Sequence, residues 1–446
     1  MSRLLAFLRV AAAFAIMALS GCTGLVDSEQ RALCEAVVEA LHPDGTQIAI
    51  YGVQLAASGR QGLRLDYTAR EPDDEARPHY VVCGFAGGAF DPGRLDLVAV
   101  DTDGEPLGEA RFIYLKRFGL TDVGRTVATQ GLPQWPFSIA YAAQQVVSGV
   151  PLAAIYALLA TAYALIYGLV GRLNLAFGQI AVMGAFGAIG GVGAAVAFGF
   201  ESPAAGLMVA LVVAAGLAAG WSWVVGVTVI APLHARSSLS QPILVATVAV
   251  AVTIEEGLRL FQGVRDHWVP PTFSAPIGLA AAGTFVVTVT PMQIGIALAA
   301  FGTAIAVLLV LRRSRFGRNW RAFADDPGAA ALLGVAPGRI LAGTFLLAGL
   351  MAGLAGWIMA IYYGNVSAAM STMLGLKALV AAIVGGIGSV PGAFVGGVVI
   401  GLVEAFWSAY FDIGMRDIVV YAILIAVFVL RPGGLFGFSG PRPRDV

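Results

Sequence analysis

Hydrophobic positions fall along this chain in three regimes. The first is a single short apolar run, Val10–Leu19, placed behind Arg3 and Arg9. It is too short to span a bilayer comfortably and fits the apolar region of a signal peptide. In the second regime apolar and polar positions alternate. Leu33, Val37 and Leu41 recur at helical spacing and predict a helix over Glu29–Leu41. Gln47–Val53, Leu63–Ala69, His79–Phe85, Leu95–Val100 and Ala110–Lys116 read as strands, with Asp101-Thr102-Asp103-Gly104 as the turn of the last hairpin. In the third regime apolar runs are long, at about 138–169, 175–199, 205–231, 241–262, 290–312 and 340–363, then a shorter pair at 373–389 and 391–411, then 415–431.

The shorter pair is interrupted by Gly385-Gly386-Ile387-Gly388-Ser389-Val390-Pro391-Gly392. Gly and Pro break a helix there, which is tolerated at membrane depth where the break packs against protein or lines a cavity. Nine spans result if both halves cross, and seven if they form a re-entrant hairpin. The expected fold is therefore an all-α polytopic membrane protein with seven to nine transmembrane helices and one Gly/Pro-broken hairpin. A small exported α+β domain precedes it. The expected boundaries are 1–22 (signal peptide), 23–136 (exported domain), 137–437 (membrane domain) and 438–446 (tail), with the Leu132–Pro136 segment (LPQWP) as linker.

Composition agrees. Of 446 residues, 58% are hydrophobic and 12% charged, and the mean hydropathy is +0.82. A soluble protein carries about a quarter charged residues, so a cytosolic enzyme, a disordered chain and a nucleic-acid binder are excluded. Net charge is zero but unevenly spread. Residues 23–136 hold 17 acidic and 10 basic groups, whereas 137–446 hold 10 and 15. Arg312, Arg313, Arg315, Arg318 and Arg321 crowd one loop, which the positive-inside rule places in the cytoplasm together with the tail bearing Arg431, Arg442 and Arg444. His234 and Arg236 mark a second inner loop, and 264–289 then lies outside. Residue 137 must start outside, which matches an exported N-terminal domain.

The signal-like run ends in Leu19-Ser20-Gly21-Cys22, which resembles a bacterial lipobox and makes Cys22 the expected lipidation site. The remaining cysteines, Cys34 and Cys83, both lie in the exported segment and are expected to pair in an oxidising compartment. Asp101, Asp103 and Gly104 lack the later ligands of a calcium loop and read as a plain turn, and His42 and His79 have no partners at metal spacing. No metal site and no cofactor is expected in this chain.

Several chemistries are missing from the third regime. The only lysines, Lys116 and Lys377, both follow Leu, so there is no P-loop to bind ATP. No HExxH occurs. Acidic residues at span depth are limited to Glu255, Glu256 and Glu404, too few for the carboxylate chain usual in a proton-coupled carrier. Lys377 is expected to snorkel to the outer interface, with a place in a translocation path as the alternative.

The basic loop continues Arg321-Ala322-Phe323-Ala324-Asp325-Asp326-Pro327, then Ala329–Leu333 and Gly334. Asp325 or Asp326 can cap a short helix, Pro327 fits its first turn and Gly334 can end it. A short capped helix in a basic inner loop is a docking element or an ordinary amphipathic loop helix.

At this loop the sequence resembles the permeases of bacterial ABC importers, in the branched-chain amino acid class. Tyr156–Gln179 (YALLATAYALIYGLVGRLNLAFGQ), Leu376–Glu404 (LKALVAAIVGGIGSVPGAFVGGVVIGLVE), Gly263–Asp266 (GVRD) and the Pro432–Gly437 tail match the same class in the same order. The resemblance covers nearly all of 137–437 and none of 1–136. It implies a second related permease, two cytoplasmic ATPases that bind ATP, and a periplasmic binding protein. The loop helix around Ala322–Gly334, with Arg321, Ala322, Ala324, Asp325, Asp326, Leu332, Leu333 and Gly334, would sit in an ATPase groove. Asn174, Gly178 and Gln179 fall in the stretch NLAFGQ, where the family pattern is NFAHGE. Phe177 and Gln179 thus replace a His and a Glu, and a neutral path would suit urea or short amides as well as amino acids. Gly385, Gly386, Gly388, Pro391 and Gly392 match the family's GGIGSIPGA and are expected to set backbone geometry.

Overall fold

The computed structural model describes residues 28–42, 46–56, 62–70, 77–87, 95–108, 111–112, 115, 132–200, 202–236, 241–263, 267–269, 272–274, 276–283 and 285–436. The signal-like run, Cys22, the tail from 437 with Arg442 and Arg444, and Val264–Asp266 of the GVRD stretch lie outside the described residues. The chain forms two compact units, one of residues up to Phe137 with Gly278–Val286, the other of Ser138–Ile277 and Val287 onward.

In the first unit, helix α1 (Ser28–Leu41) packs on an antiparallel sheet of β1 (Gln47–Leu55), β2 (Gly62–Arg70), β3 (Arg77–Phe85), β4 (Leu97–Thr102) and β5 (Glu105–Pro106), in sequence order. Leu33, Val37 and Val38 of α1 bury against Leu65, Val81, Phe85 and Leu97. Cys34 on α1 and Cys83 on β3 form a disulfide with Cα atoms 6.0 Å apart, both fully buried. The last hairpin is shorter than the sequence suggests. Asp103 and Gly104 both take positive φ, the two-residue turn that matches strand twist, and the returning strand is only Glu105–Pro106. Pro106 ends that strand because it lacks an N–H for the ladder. Of the strand expected at Ala110–Lys116, Arg111, Phe112 and Leu115 are helical, and the other positions lie outside the described residues. Within this unit Ala281 exchanges backbone hydrogen bonds with Pro133 and Trp135 at 3.0 and 2.8 Å.

The second unit is helical. Its elements are α2 (Phe137–Val170), α3 (Phe177–Ala197), α4 (Pro203–Val225, continued through a π turn into Ala231–Arg236), α5 (Gln241–Gln262), α6 (Pro291–Arg313), α7 (Arg315–Asp325), α8 (Pro327–Leu332), α9 (Pro337–Ile358, ending in a π turn at Met359–Tyr363), α10 (Met370–Gly385), α11 (Val390–Tyr410) and α12 (Arg416–Leu430). The segment between α5 and α6 holds β6 (His267–Trp268), then β7 (Ile277–Ala282) and β8 (Phe285–Val289), which pair with each other and fall largely in the first unit. β6 pairs with β9 (Asn365–Val366), just past α9.

Among the described residues seven helices are long and apolar enough to cross a membrane: Phe137–Val170, Phe177–Ala197, Pro203–Ala235, Pro291–Arg313, Pro337–Tyr363, Val390–Tyr410 and Ile413–Leu430. Two of the nine apolar runs are not among them. α5 carries Glu255, Glu256 and Arg259 in its last third, and α10 has only 16 residues. By length and composition the described residues thus hold seven candidate spans, and α11 is among them. α2 and α9 form the centre, with 89% and 83% of their apolar windows buried; α12, at 6%, lies on the rim. Small residues let the inner helices approach closely, as where a Cβ on Gly353 of α9 would meet the Ala215 Cα of α4 at 2.6 Å.

Candidate functional site

The basic loop folds as two helices rather than one. Ser314 caps α7 through the Gly317 N–H at 3.0 Å, and Trp320 and Phe323 bury its apolar side. Arg321 donates to the Leu311 carbonyl at the end of α6, satisfying a group the helix leaves open. Asp326, not Asp325, caps α8 through the Ala329 N–H at 2.9 Å, with Pro327 in the first turn. Gly334 has φ +88°, and the Gly334 and Val335 N–H groups return to the Ala331 and Ala330 carbonyls, a Schellman stop. The helix expected around Ala322–Gly334 is therefore broken at Asp326. Arg321, Ala322, Ala324 and Asp325 belong to α7. Leu332 and Leu333 are 90% and 85% exposed.

Of the residues expected on a path, Gly178 and Gln179 meet α10. A Cβ on Gly178 would lie 2.7 Å from the Gly375 Cα, so this glycine exists for close helix approach. Gln179 is buried and donates to the Thr372 hydroxyl at 3.3 Å; its Oε1 has no partner among the described residues. Thr372 and Ser371 donate to Glu255 Oε2 at 2.9 and 3.1 Å, and Arg259 pairs with Glu255 Oε1 at 2.9 Å. Gln179, Glu255 and Thr372 line a cavity of about 180 Å³ together with Tyr163, Val248 and Leu376. Asn174 is buried elsewhere, its Oδ1 accepting from the Ala176 N–H.

Lys377 does not snorkel. Its side chain is 7% exposed and its Nζ lies 2.7 Å from Glu404 Oε1 and 2.6 Å from Asp417 Oδ1. Two carboxylates within reach make an internal partner set for the ammonium, which removes the drive to stretch to an interface. Tyr156 donates to Glu404 Oε2 at 2.8 Å, and Arg416 Nε stands 3.6 Å from both carboxylates. The cluster borders a cavity of about 640 Å³ between α2, α9, α10, α11 and α12, walled by Leu152, Ile155, Met359, Met370, Met373 and Leu374. Tyr363 and Met359 reach it from the π turn that ends α9. α10 therefore stands between two cavities, with Thr372, Gly375 and Leu376 toward one and Met370, Met373 and Lys377 toward the other. Sequence reasoning missed Glu404 and Asp417 as partners of Lys377, and Tyr156 and Arg416 as the groups that join them. Their sequence distances carry no periodic signal; the one available hint is a charged pair opening the last apolar run.

The glycine stretch forms the tight turn from α10 to α11. Gly386 and Gly388 have φ +110° and +100°, which only glycine adopts without strain. Ser389 caps α11 through the Gly392 N–H at 3.2 Å, Pro391 sits in its first turn, and a Cβ on Gly392 would meet the Gly385 carbonyl at 2.6 Å. Past α12, the Leu435 and Phe436 N–H groups bond the Val384 and Gly385 carbonyls at 2.8 and 3.1 Å, closing the end of α10.

The first unit has its own polar cluster. His79 Nδ1 bonds Asp103 Oδ2 at 2.7 Å, the Tyr80 N–H donates to Asp103 Oδ1, and His42 Nε2 shares a hydrogen bond with the Tyr67 hydroxyl at 3.0 Å. Partial burial pushes the Asp103 carboxyl up, but the His79 and Tyr80 hydrogen bonds and the two nearby imidazoles outweigh it and hold the carboxyl below its usual value. Burial, then the Asp103 charge, pushes Tyr67 up to about 12. Among the described residues no group of His, Cys, Asp and Glu is placed to hold a metal ion.

Known proteins resemble the second unit. The family model described as the branched-chain amino acid transport system permease component matches residues 145–428. The high-affinity branched-chain amino acid transport system permease protein LivH of Salmonella typhimurium is 33% identical over 301 residues, 67% of this chain and 96% of that protein. Its counterpart in Escherichia coli K12 is 34% identical over the same span. The permease protein BraD of Pseudomonas aeruginosa is 28% identical over 294 residues, 66% of this chain and 95% of that protein. No solved structure matches. Family members are transporters, not enzymes. With its seven apolar helices and this match over most of their length, the chain belongs to the permease family of branched-chain amino acid transport systems.

Proposed function

We propose that this chain is a permease subunit of an ATP-binding-cassette importer in the bacterial inner membrane, translocating branched-chain amino acids or a related small polar solute. The carrying observation is α8. It is short, capped at both ends, set in an arginine-rich loop, and exposes Leu332 and Leu333. Two cytoplasmic ATPases would each receive such a helix and supply the ATP chemistry, since this chain has no P-loop. A second related permease completes the pore, and a periplasmic solute-binding protein delivers the ligand. The arginine loop and C-terminus would face the cytoplasm and residues 23–136 the periplasm, with Cys22 lipidated. The buried disulfide is consistent with an oxidising compartment. That domain would hold or screen the binding protein.

Within the permease, Gln179 and its unpartnered Oε1 mark one polar point on a path, and Asn174 and Gly178 support its geometry. The neutral amide favours a second reading within the same importer class, with urea or a short amide as solute. An ion-coupled carrier is the competing mechanism, and it would need no ATPase.

The test is co-purification from the producing cell's membranes and uptake into proteoliposomes. Leu332→Asp with Leu333→Asp should abolish ATPase capture while leaving a monodisperse permease, because both side chains are solvent-facing. ATP-independent uptake, or full ATPase capture by the double variant, would overturn the reading.

A further inference from the structure

We propose that the Lys377–Glu404–Asp417–Arg416 cluster and its cavity form a binding station for an aliphatic zwitterion, entered from the end of the bundle opposite the docking helices. The proposal rests on the importer reading and names the solute class and the residues that would hold it.

The four charges sum to zero, so a zwitterion can enter without leaving uncompensated charge in a buried site. They are not equally committed. Lys377 is spent on two carboxylates. Glu404 is 3% exposed and holds one bond on each oxygen, from Lys377 and Tyr156. An ionised carboxylate offers about four acceptor directions, so it can still take an ammonium. Arg416 is 44% exposed and approaches the carboxylates only through Nε at 3.6 Å. Among the described residues its Nη atoms make no hydrogen bond, which leaves the guanidinium fork for a ligand carboxylate. The polar groups thus present a guanidinium and a carboxylate side by side, the two charges that the carboxylate and ammonium of an α-amino acid would meet.

The rest of the cavity suits an aliphatic side chain. Met359, Met370 and Met373 give an unbranched, adaptable apolar wall, and about 640 Å³ lies in the range of small-ligand sites. Lys377, Glu404 and Arg416 line that open volume directly. Position also agrees. α9 begins beside α8 and ends at Tyr363 in the cavity wall, so the station and the docking helix lie at opposite ends of one central helix. In an importer that is the delivery end.

The experiment uses the assembled complex in nanodiscs with Met373→Cys as reporter. Met373 lines the cavity and is 56% exposed. Labelling by a membrane-impermeant methanethiosulfonate is read against the complex without that substitution. Leucine is the probe, with leucinol, isovalerate and acetamide as comparisons. Leucine at ten times its Kd should slow labelling about tenfold, by the factor 1 + [L]/Kd. Leucinol and isovalerate, each lacking one charge, should protect far less. Arg416→Gln should raise the half-protecting concentration about tenfold, the loss of one charge-assisted bond, and Arg416→Lys should restore part of it, which a merely structural role would not require. Met370→Cys serves as a second reporter if Met373→Cys fails to assemble. ATP-driven leucine uptake without protection overturns the station and leaves the importer standing. Protection by leucinol or acetamide equal to that by leucine overturns the zwitterion class. Protection without ATP-driven uptake upholds the station and sinks the importer reading.

Discussion

Replacing Lys377 by Met should destabilise the membrane unit more than any other single charge removal in the chain. The side chain is similar in length, so packing is nearly kept and the effect isolates charge. Glu404 is 3% exposed, so little water reaches its carboxylate. It would retain the Tyr156 hydroxyl and an Arg416 Nε 3.6 Å away. Asp417, 46% exposed, can turn to solvent and contributes little to the loss. Removing one partner of a buried pair costs about 3–5 kcal/mol. Replacing both, as in Lys377→Met with Glu404→Leu, removes the desolvated carboxylate as well and should return to within about 1 kcal/mol of the parent. The assay is SDS titration of the purified permease in mixed micelles, followed by tryptophan fluorescence. If Lys377→Met alone unfolds within about 0.5 kcal/mol of the parent, as an exposed pair would, the buried cluster does not exist as described.

Other consequences are as direct. Gly178→Val should cost about 1–3 kcal/mol and reduce uptake, because even a Cβ there would meet the Gly375 backbone at 2.7–2.8 Å; the same titration checks it. Cys34→Ser with Cys83→Ser should destabilise the first unit by about 4 kcal/mol, as expected for reopening a loop closed across 49 residues, measured by chemical denaturation of the full chain. Asp103 has a carboxyl held below its ordinary value, so its contribution is present above that value and is lost as pH falls through the folded one. Asp103→Asn should flatten that acid-side loss in a pH series of melting curves.

The fold was legible where local rules dominate. Strands β1 to β4 and helix α1 followed apolar alternation and helical spacing, and the Asp326–Gly334 stretch showed its cap and stop in the letters. The basic loop was less legible because Arg315–Asp325 looks like a charged linker; its helix is held by Trp320 and Phe323 packing inward, a tertiary effect. The strands of 277–289 were missed because they sit in a segment short on periodicity. Lys377 was misread for the same reason. A lone lysine in an apolar run carries no mark of whether carboxylates 27 and 40 residues later will face it. Pairwise electrostatics across helices are settled by packing, which sequence spacing does not encode.

The bonds from Leu435 and Phe436 to the Val384 and Gly385 carbonyls have a consequence for biogenesis. The turn between α10 and α11 is synthesised some fifty residues before the peptide that closes it. During translation that helix end must wait, with open carbonyls, until every span has left the ribosome. A product stopped just after Arg431 would contain all seven candidate spans of the described residues and still lack this clasp. It would be a natural target for membrane proteolysis, and a fusion placed directly after residue 431 would produce the same defect.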